Sequence, residues 1–123
     1  MPDKPLNTYA RGVLGEWTAE KYLCENGMVC LERRYRSPYG EIDLVMLDHD
    51  VLAFVEVKAR LMSTIQSAQL AVTPAKQRKI IRTALCYLGD HPEHAQRMMR
   101  FDIVSIAGDC IHHLPDAFQG SGW

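Results

Sequence analysis

The chain has 123 residues, of which 47% are hydrophobic, and this length and composition predict one domain with a modest core. Its formal net charge of −1 at pH 7 excludes a global basic field, so a nucleic-acid partner would need a local cluster of Lys and Arg. No apolar run is long enough to span a bilayer, and the N-terminus lacks the apolar stretch of a secretory signal. We therefore predict a cytoplasmic protein without a membrane segment, forming a single domain over residues 1–123 with loose tails at 1–6 and 116–123.

A first helix is predicted from Asn7 or Thr8, which are good capping residues, to the Asn-Gly pair at residues 26–27. Two carboxylates, Glu16 and Glu20, fall within the apolar arc of this helix. Burying an unpaired carboxylate is costly, so each needs an explanation. We predict that Glu20 is structural, whereas Glu16 either has a functional role or pairs with an arginine.

Three predicted strands follow. The first covers residues 29–36 and is basic, and a Ser-Pro-Tyr-Gly turn leads from it into Gly40–Val45. The polar linker at 47–51 is short enough for a hairpin turn into the third strand, which includes Phe54–Lys58.

The second and third strands carry charged residues at alternate positions. Because side chains alternate between the faces of a strand, pairing the two strands predicts one charged patch. Its members are Glu41, Asp43, Glu56 and Lys58. Three carboxylates on one face repel one another, and a divalent cation such as Mg²⁺ would neutralise them. The alternative is an exposed hairpin face on which Glu and Lys form cross-strand pairs.

The segment at 60–74 has little periodicity and is predicted to be a loop or short helix over the site. A second helix is predicted to begin at Thr73-Pro74, and its first turns are basic from Lys76 to Lys79. Such a run is either a solvated helix face or a clamp for phosphates. A fourth strand at 100–106, a turn and a short fifth strand at 111–114 complete the chain.

The acidic strands resemble a known signature. Asp43 followed by Glu56-Val57-Lys58 resembles the acidic residue and Glu-x-Lys of the restriction-endonuclease-like PD-(D/E)XK nucleases. The longer string, Gly40–Val45 with Phe54–Arg60, more specifically resembles the YraN-like family of small bacterial proteins, which is similar to archaeal Holliday-junction resolvases. This resemblance covers nearly the whole chain. Relatives commonly carry Asn where this chain has Arg34.

The element order and the resemblance together imply an α/β fold, a restriction-endonuclease-like mixed β-sheet flanked by helices with an αβββαβ core and a short final strand. The resemblance implies an endonuclease that hydrolyses phosphodiester bonds of DNA, branched or recombination and repair intermediates included. In such an enzyme Mg²⁺ or Mn²⁺ would be bound by Asp43, Glu56 and the carbonyl of Val57. Lys58 would face the scissile phosphate.

The resemblance also assigns roles to residues around this centre. Gly12 to Glu16 resembles a Gly-x-x-x-Glu motif whose glutamate joins the metal site, so Glu16 and Glu41 are candidates for a second ion or its waters. Asp102 is expected to be structural. The basic residues predicted to hold the nucleic-acid backbone are Arg36, Arg60, Lys76, Arg78 and Lys79.

Two other classes of function stay open. One is a non-catalytic nucleic-acid-binding module on the same scaffold, and the other is a protein-interaction domain with an acidic patch. A resolvase would act as a homodimer, because a four-way junction needs two symmetric cuts. No dimer surface can be identified in the sequence, and the structure of the substrate stays open as well.

Overall fold

The computed structural model describes residues 8–60, 69 and 71–119, without the side chains of residues 8–11 and 60. One five-stranded sheet carries a helix on each face. The elements in chain order are α1 Thr8–Glu25, β1 Val29–Ser37, β2 Gly40–Asp48, β3 Val51–Arg60, α2 Pro74–Asp90, a 3-10 turn Pro92–His94, β4 Met99–Ala107 and β5 Cys110–Phe118.

The strands lie in the sheet in the order in which they occur in the chain. The neighbours β3 and β4 are parallel, and the other neighbouring pairs are antiparallel. Each antiparallel pair is joined by a two-residue turn, whereas the parallel pair needs the longer crossover that contains α2. The predicted mixed α/β fold is therefore confirmed, and it is consistent with a restriction-endonuclease-like core.

Two hydrophobic clusters hold the layers together, one on each face of the sheet. Phe54 and Phe101 pack with Tyr87 of α2 on one face, and Leu44 and Val104 pack with Leu23 of α1 on the other. Because a helix covers each face, the central strands carry apolar residues on both sides.

Helix α2 begins with a well-formed cap. The side chain of Thr73 accepts a hydrogen bond from the backbone N–H of Lys76 at 3.3 Å, and Pro74 occupies the first turn. The predicted helix start is confirmed, and the basic run Lys76–Lys79 therefore lies at the N-terminal end of α2.

The last strand is longer than predicted. Strand β5 extends to Phe118, which pairs with Phe101, so the prediction of a loose tail is wrong for residues 116–118. Strand β5 includes Pro115, and proline is tolerated on an edge strand because one side of that strand needs no hydrogen-bond donor. Two cysteines, Cys24 and Cys110, are exposed. Neither of the two described helices is long and apolar enough to cross a membrane.

Several predictions fall on parts of the chain that the structure does not describe. These are the tails at 1–6 and 120–123, the helix cap at Asn7 or Thr8 through its side chain, and most of the segment predicted to cover the site.

Candidate metal and active site

Side chains along β2 stop alternating regularly between the two faces of the sheet at Asp43. Ile42 packs in the cluster beneath α2, yet Leu44 packs in the cluster beneath α1. Residues two apart on a regular strand share a face, so the strand must be irregular between them. The β2–β3 ladder runs from Asp48–Val51 to Leu44–Val55. Beyond it the Asp43 carboxylate takes the next hydrogen bond, accepting from the N–H of Val57 at 2.8 Å.

Strand β3 brings Glu56 and Lys58 beside this carboxylate. Both share the face of Phe54, because Val55 and Val57 pack on the opposite side. Lys58 Nζ lies 3.7 Å from Glu56 Oε1, and the two side chains are only 14% and 19% exposed. The carboxyl groups of Asp43 and Glu56 are close enough for each to shift the pKa of the other. Three predicted site residues therefore meet at the irregularity of β2, and this largely buried cluster of Asp43, Glu56 and Lys58 is called the cleft below.

Burial is the main influence on the ionisation of both carboxyl groups of the cleft. Burial raises the pKa of Asp43, and the adjacent charge of Glu56 raises it further, to about 8, against the opposing effects of the Val57 N–H and Lys58. Burial also raises the pKa of Glu56, although Lys58, the hydrogen bond from Asp43 and the charge of Lys76 lower it. At neutral pH the pair therefore retains a proton where a cation would serve equally well.

This donor set fits a magnesium-type ion. Within the described residues no three His, Cys, Asp or Glu side chains converge as a complete metal cage. Catalytic Mg²⁺ does not need one, because it is commonly held by one or two carboxylates together with waters and substrate phosphates. Two adjacent carboxylates in a cleft match that requirement. The Val57 carbonyl as a further ligand stays a prediction.

Glu16 lies beside this cleft, on α1. A Cβ atom on Gly15 would lie 2.7 Å from Cβ of Ala59, so the glycine lets the helix approach β3 closely. The Glu16 carboxylate accepts hydrogen bonds from Arg34 Nε at 2.8 Å and Nη2 at 3.4 Å. The pairing with an arginine that the sequence left open is therefore present.

Glu41 does not share the face of Glu56. It precedes Ile42, whose side chain points towards α2, so Glu41 points towards α1. Its carboxylate is bound to Arg36 Nε at 3.1 Å and is 35% exposed. The prediction of one strand face carrying all four charged residues is wrong in this respect, because it assumed a regular β2. The role of Glu41 at a second ion stays a prediction.

The predicted basic residues differ in what the structure shows of their relation to the cleft. Lys76 is close enough for its charge to lower the pKa of Glu56, whereas Arg78 and Lys79 are exposed along α2. Arg36 is 73% exposed in its side chain. The backbone of Arg60 pairs with Ala107 at the end of β3, but its side chain lies outside the described residues.

Glu20 and Asp102 both prove to be bound in ion pairs. Glu20 forms a two-point ion pair with Arg33, at 2.5 and 2.6 Å. Asp102 is fully buried and is bound by Arg100, His113 and the backbone N–H of Asp116. These contacts support the structural roles that the sequence predicted for both carboxylates.

One residue beside the cleft received no role from its sequence pattern. The backbone of Arg34 has a φ of 52°, which lies in the left-handed region that residues other than Gly and Asn rarely adopt. The resemblance to the YraN-like family offered a signal, since it implies Asn at this position and Asn tolerates that region.

Comparisons with known proteins support the resemblance to the family of small bacterial proteins. The model of the family described as Uncharacterised protein family UPF0102 matches residues 15–106, which include Glu16, Asp43, Glu56 and Lys58. A UPF0102 protein of Rhodopseudomonas palustris (strain BisB18) is 46% identical over 114 residues, covering 92% of this chain and 83% of its own. A UPF0102 protein of Desulfosudis oleivorans is 46% identical over 112 residues, covering 89% of this chain and 90% of its own. The chain therefore belongs to UPF0102, the YraN-like family that its sequence resembles.

Proposed function

We propose that the protein is a metal-dependent endonuclease that hydrolyses phosphodiester bonds of DNA. Its substrates would include branched DNA and the intermediates of recombination and repair. The observation that carries this proposal is the packing of Asp43, Glu56 and Lys58 in one cleft at an irregularity of β2. Two buried carboxyl groups in contact are unfavourable for stability, and ionisable groups perturbed in this way are concentrated at functional sites.

Each residue of the cleft has a definite task in this proposal. Asp43 and Glu56 would hold Mg²⁺ or Mn²⁺, which when bound supplies an activated water and offsets charge on the phosphate. The Val57 N–H fixes the orientation of the Asp43 carboxylate. Once the two carboxylates are neutralised, the ammonium group of Lys58 is available to the scissile phosphate, where it stabilises the charge that develops in the transition state.

The nucleic-acid backbone would be held next to this centre by the start of α2. The N-terminus of a helix favours anions, and the positive charge of Lys76 reaches Glu56. Arg78 and Lys79 continue this basic surface and are exposed. Contacts of this kind position a duplex or single strand without selecting a base sequence.

Changing Lys76, Arg78 and Lys79 together to Ala is expected to weaken DNA binding and to flatten its salt dependence. Each lost phosphate contact should reduce the slope of log K against log salt by about one unit. Fluorescence anisotropy at several salt concentrations measures this slope. Arg97→Ala is the control, because Arg97 lies 3.5 Å from Asp50 in the β2–β3 turn, at the other end of β3. An unchanged slope in the triple variant would place the run on a face remote from the nucleic acid.

The proposed activity is tested with a panel of single-stranded, duplex and branched DNA and the matching RNA, with Mg²⁺, Mn²⁺ or EDTA. We expect cleavage of at least one DNA substrate only with a divalent ion, and loss of that cleavage in Asp43→Ala and Glu56→Ala. Glu20→Ala removes a carboxylate of the same helix as Glu16 but outside the cleft, and it should cleave like the wild type. Binding of nucleic acid without cleavage of any substrate would favour the non-catalytic binding module.

A further inference from the structure

The strand opposite Asp43 is irregular as well. In the β1–β2 ladder Arg33 pairs with Leu44, and Tyr35 pairs with Ile42, so Arg34 and Asp43 are the intervening residues on the two strands. Arg34 has a φ of 52°, which is unfavourable for a residue with a long side chain. The two irregularities therefore face each other beside the carboxylate cleft.

This backbone conformation changes where the side chain of Arg34 points. Neighbouring residues on a regular strand project to opposite faces, yet Arg33 and Arg34 both form two-point ion pairs with α1. The partner of Arg33 is Glu20, and the partner of Arg34 is Glu16. The left-handed residue thus brings a second guanidinium group to the helix, at the position nearest the cleft.

The carboxylate of Glu16 is close enough to the cleft to interact with the charge of Asp43. Burial raises the pKa of Glu16, the hydrogen bond from Arg34 lowers it, and the charges of Asp43 and Glu41 raise it. Both of its carboxylate oxygens already accept hydrogen bonds from Arg34. Glu16 and Arg34 also line a cavity of about 310 Å³ with Trp17 and Leu44.

We propose that Arg34 takes the place of a second divalent cation beside Glu16, so that the protein binds one divalent ion, at Asp43 and Glu56. The inference rests on the proposed function for that first ion. A guanidinium group neutralises a carboxylate with two parallel hydrogen bonds and keeps its charge at every accessible pH. A second ion would have to displace it and would then be repelled by it.

The number of Mn²⁺ ions bound per chain tests this inference, measured by titration calorimetry and by the electron paramagnetic resonance signal of free Mn²⁺. We expect one ion for the wild type and two for Arg34→Asn, because Asn tolerates the left-handed backbone and leaves Glu16 unoccupied. The gained ion should be lost again when Glu16→Gln is added to Arg34→Asn. Arg33→Asn removes the neighbouring ion pair and is the matched control, with one ion expected.

Two further variants keep the test decisive if Arg34→Asn does not fold. Glu16→Gln alone should leave one ion bound with unchanged affinity, because Arg34 already occupies that carboxylate. Arg34→Lys keeps the positive charge and should also bind one ion. A single ion in folded Arg34→Asn, two in the wild type, or loss of binding in Glu16→Gln would overturn the inference while leaving the Asp43–Glu56 site intact. A wild type that binds no ion would overturn the inference together with the proposed function.

Discussion

Replacing Lys58 by Ala is expected to slow DNA cleavage by roughly 10²–10³-fold, the usual loss for one group that stabilises charge in a transition state. Folding, DNA binding and Mn²⁺ binding should be retained. Cleavage should depend on Lys58 because its ammonium group lies 3.7 Å from Glu56 on the same face of β3, where it can turn from the carboxylate to a phosphate.

A purely neutralising role for Lys58 predicts a different result. If the lysine only offsets the charges of Asp43 and Glu56, its loss lowers the melting temperature of the metal-free protein, and Mn²⁺ restores it. Melting curves with and without Mn²⁺, DNA affinity and single-turnover cleavage rates on the same variant distinguish the two roles. Lys21→Ala is the control, because Lys21 lies 6.0 Å from the ring of Trp17 on the outer part of α1.

Replacing Asp102 by Ala is expected to destabilise the protein by about 3–5 kcal/mol, the usual cost of removing one partner from a buried ion pair. Asp102 is fully buried, and Arg100, which is only 18% exposed, would lose its two hydrogen bonds to it at 2.8 and 2.9 Å. The bonds from His113 and from the N–H of Asp116, which join β4 to β5, would be lost as well. Urea unfolding at pH 7 measures the loss.

The same substitution should cost less at acid pH. Burial alone would raise the pKa of Asp102, but hydrogen bonds from His113, Arg100 and Asp116 more than offset it, so the pKa is lowered in the folded protein. A lowered pKa gives stability that is present above the unfolded value of about 3.9 and is lost as the pH falls through the folded value. The wild type and Asp102→Ala should therefore converge in stability below that range.

Two outcomes would contradict this role of Asp102. One is a loss of less than about 1 kcal/mol at pH 7, and the other is a difference that persists unchanged into acid. Asp109→Ala is the matched control, since Asp109 is an exposed carboxylate in the β4–β5 turn and should change stability little.

The sequence predicted the parts of the site that depend on regular strands. Alternation along β3 placed Glu56 and Lys58 on one face, and the short polar linker predicted the hairpin that brings Asp43 to them. Charged residues within otherwise apolar strands were the informative signal, because such strands are buried in this fold.

The geometry around Asp43 could not be predicted in the same way. Alternation assumes an unbroken strand, whereas the irregularity of β2 turns Glu41 away from Glu56 and lets Asp43 reach between the strands. Arg34, which has a left-handed backbone, pairs with Glu16, a residue 18 positions away in sequence. Contacts between distant elements override local pattern at both positions, as is common at functional sites.

The proton shared by the carboxylate pair gives metal binding a definite pH dependence. The pKa of Asp43 is raised to about 8, so at pH 7 an entering ion must displace a proton. Affinity for Mn²⁺ should therefore increase as the pH rises from 6 to 8 and level off above it. The folding stability of the metal-free protein should change in the opposite direction. The stability that a raised pKa of Asp43 contributes is lost as the pH rises through that pKa.

Calorimetric titration of the full chain with Mn²⁺ at pH 7 tests most directly whether Asp43 and Glu56 form a divalent-ion site. We expect the wild type and Glu20→Ala to bind Mn²⁺ with release of protons, seen as a dependence of the measured heat on the ionisation enthalpy of the buffer. The double variant Asp43→Ala, Glu56→Ala should retain its fold and show no binding. Equal Mn²⁺ binding by the wild type and this double variant would contradict the account.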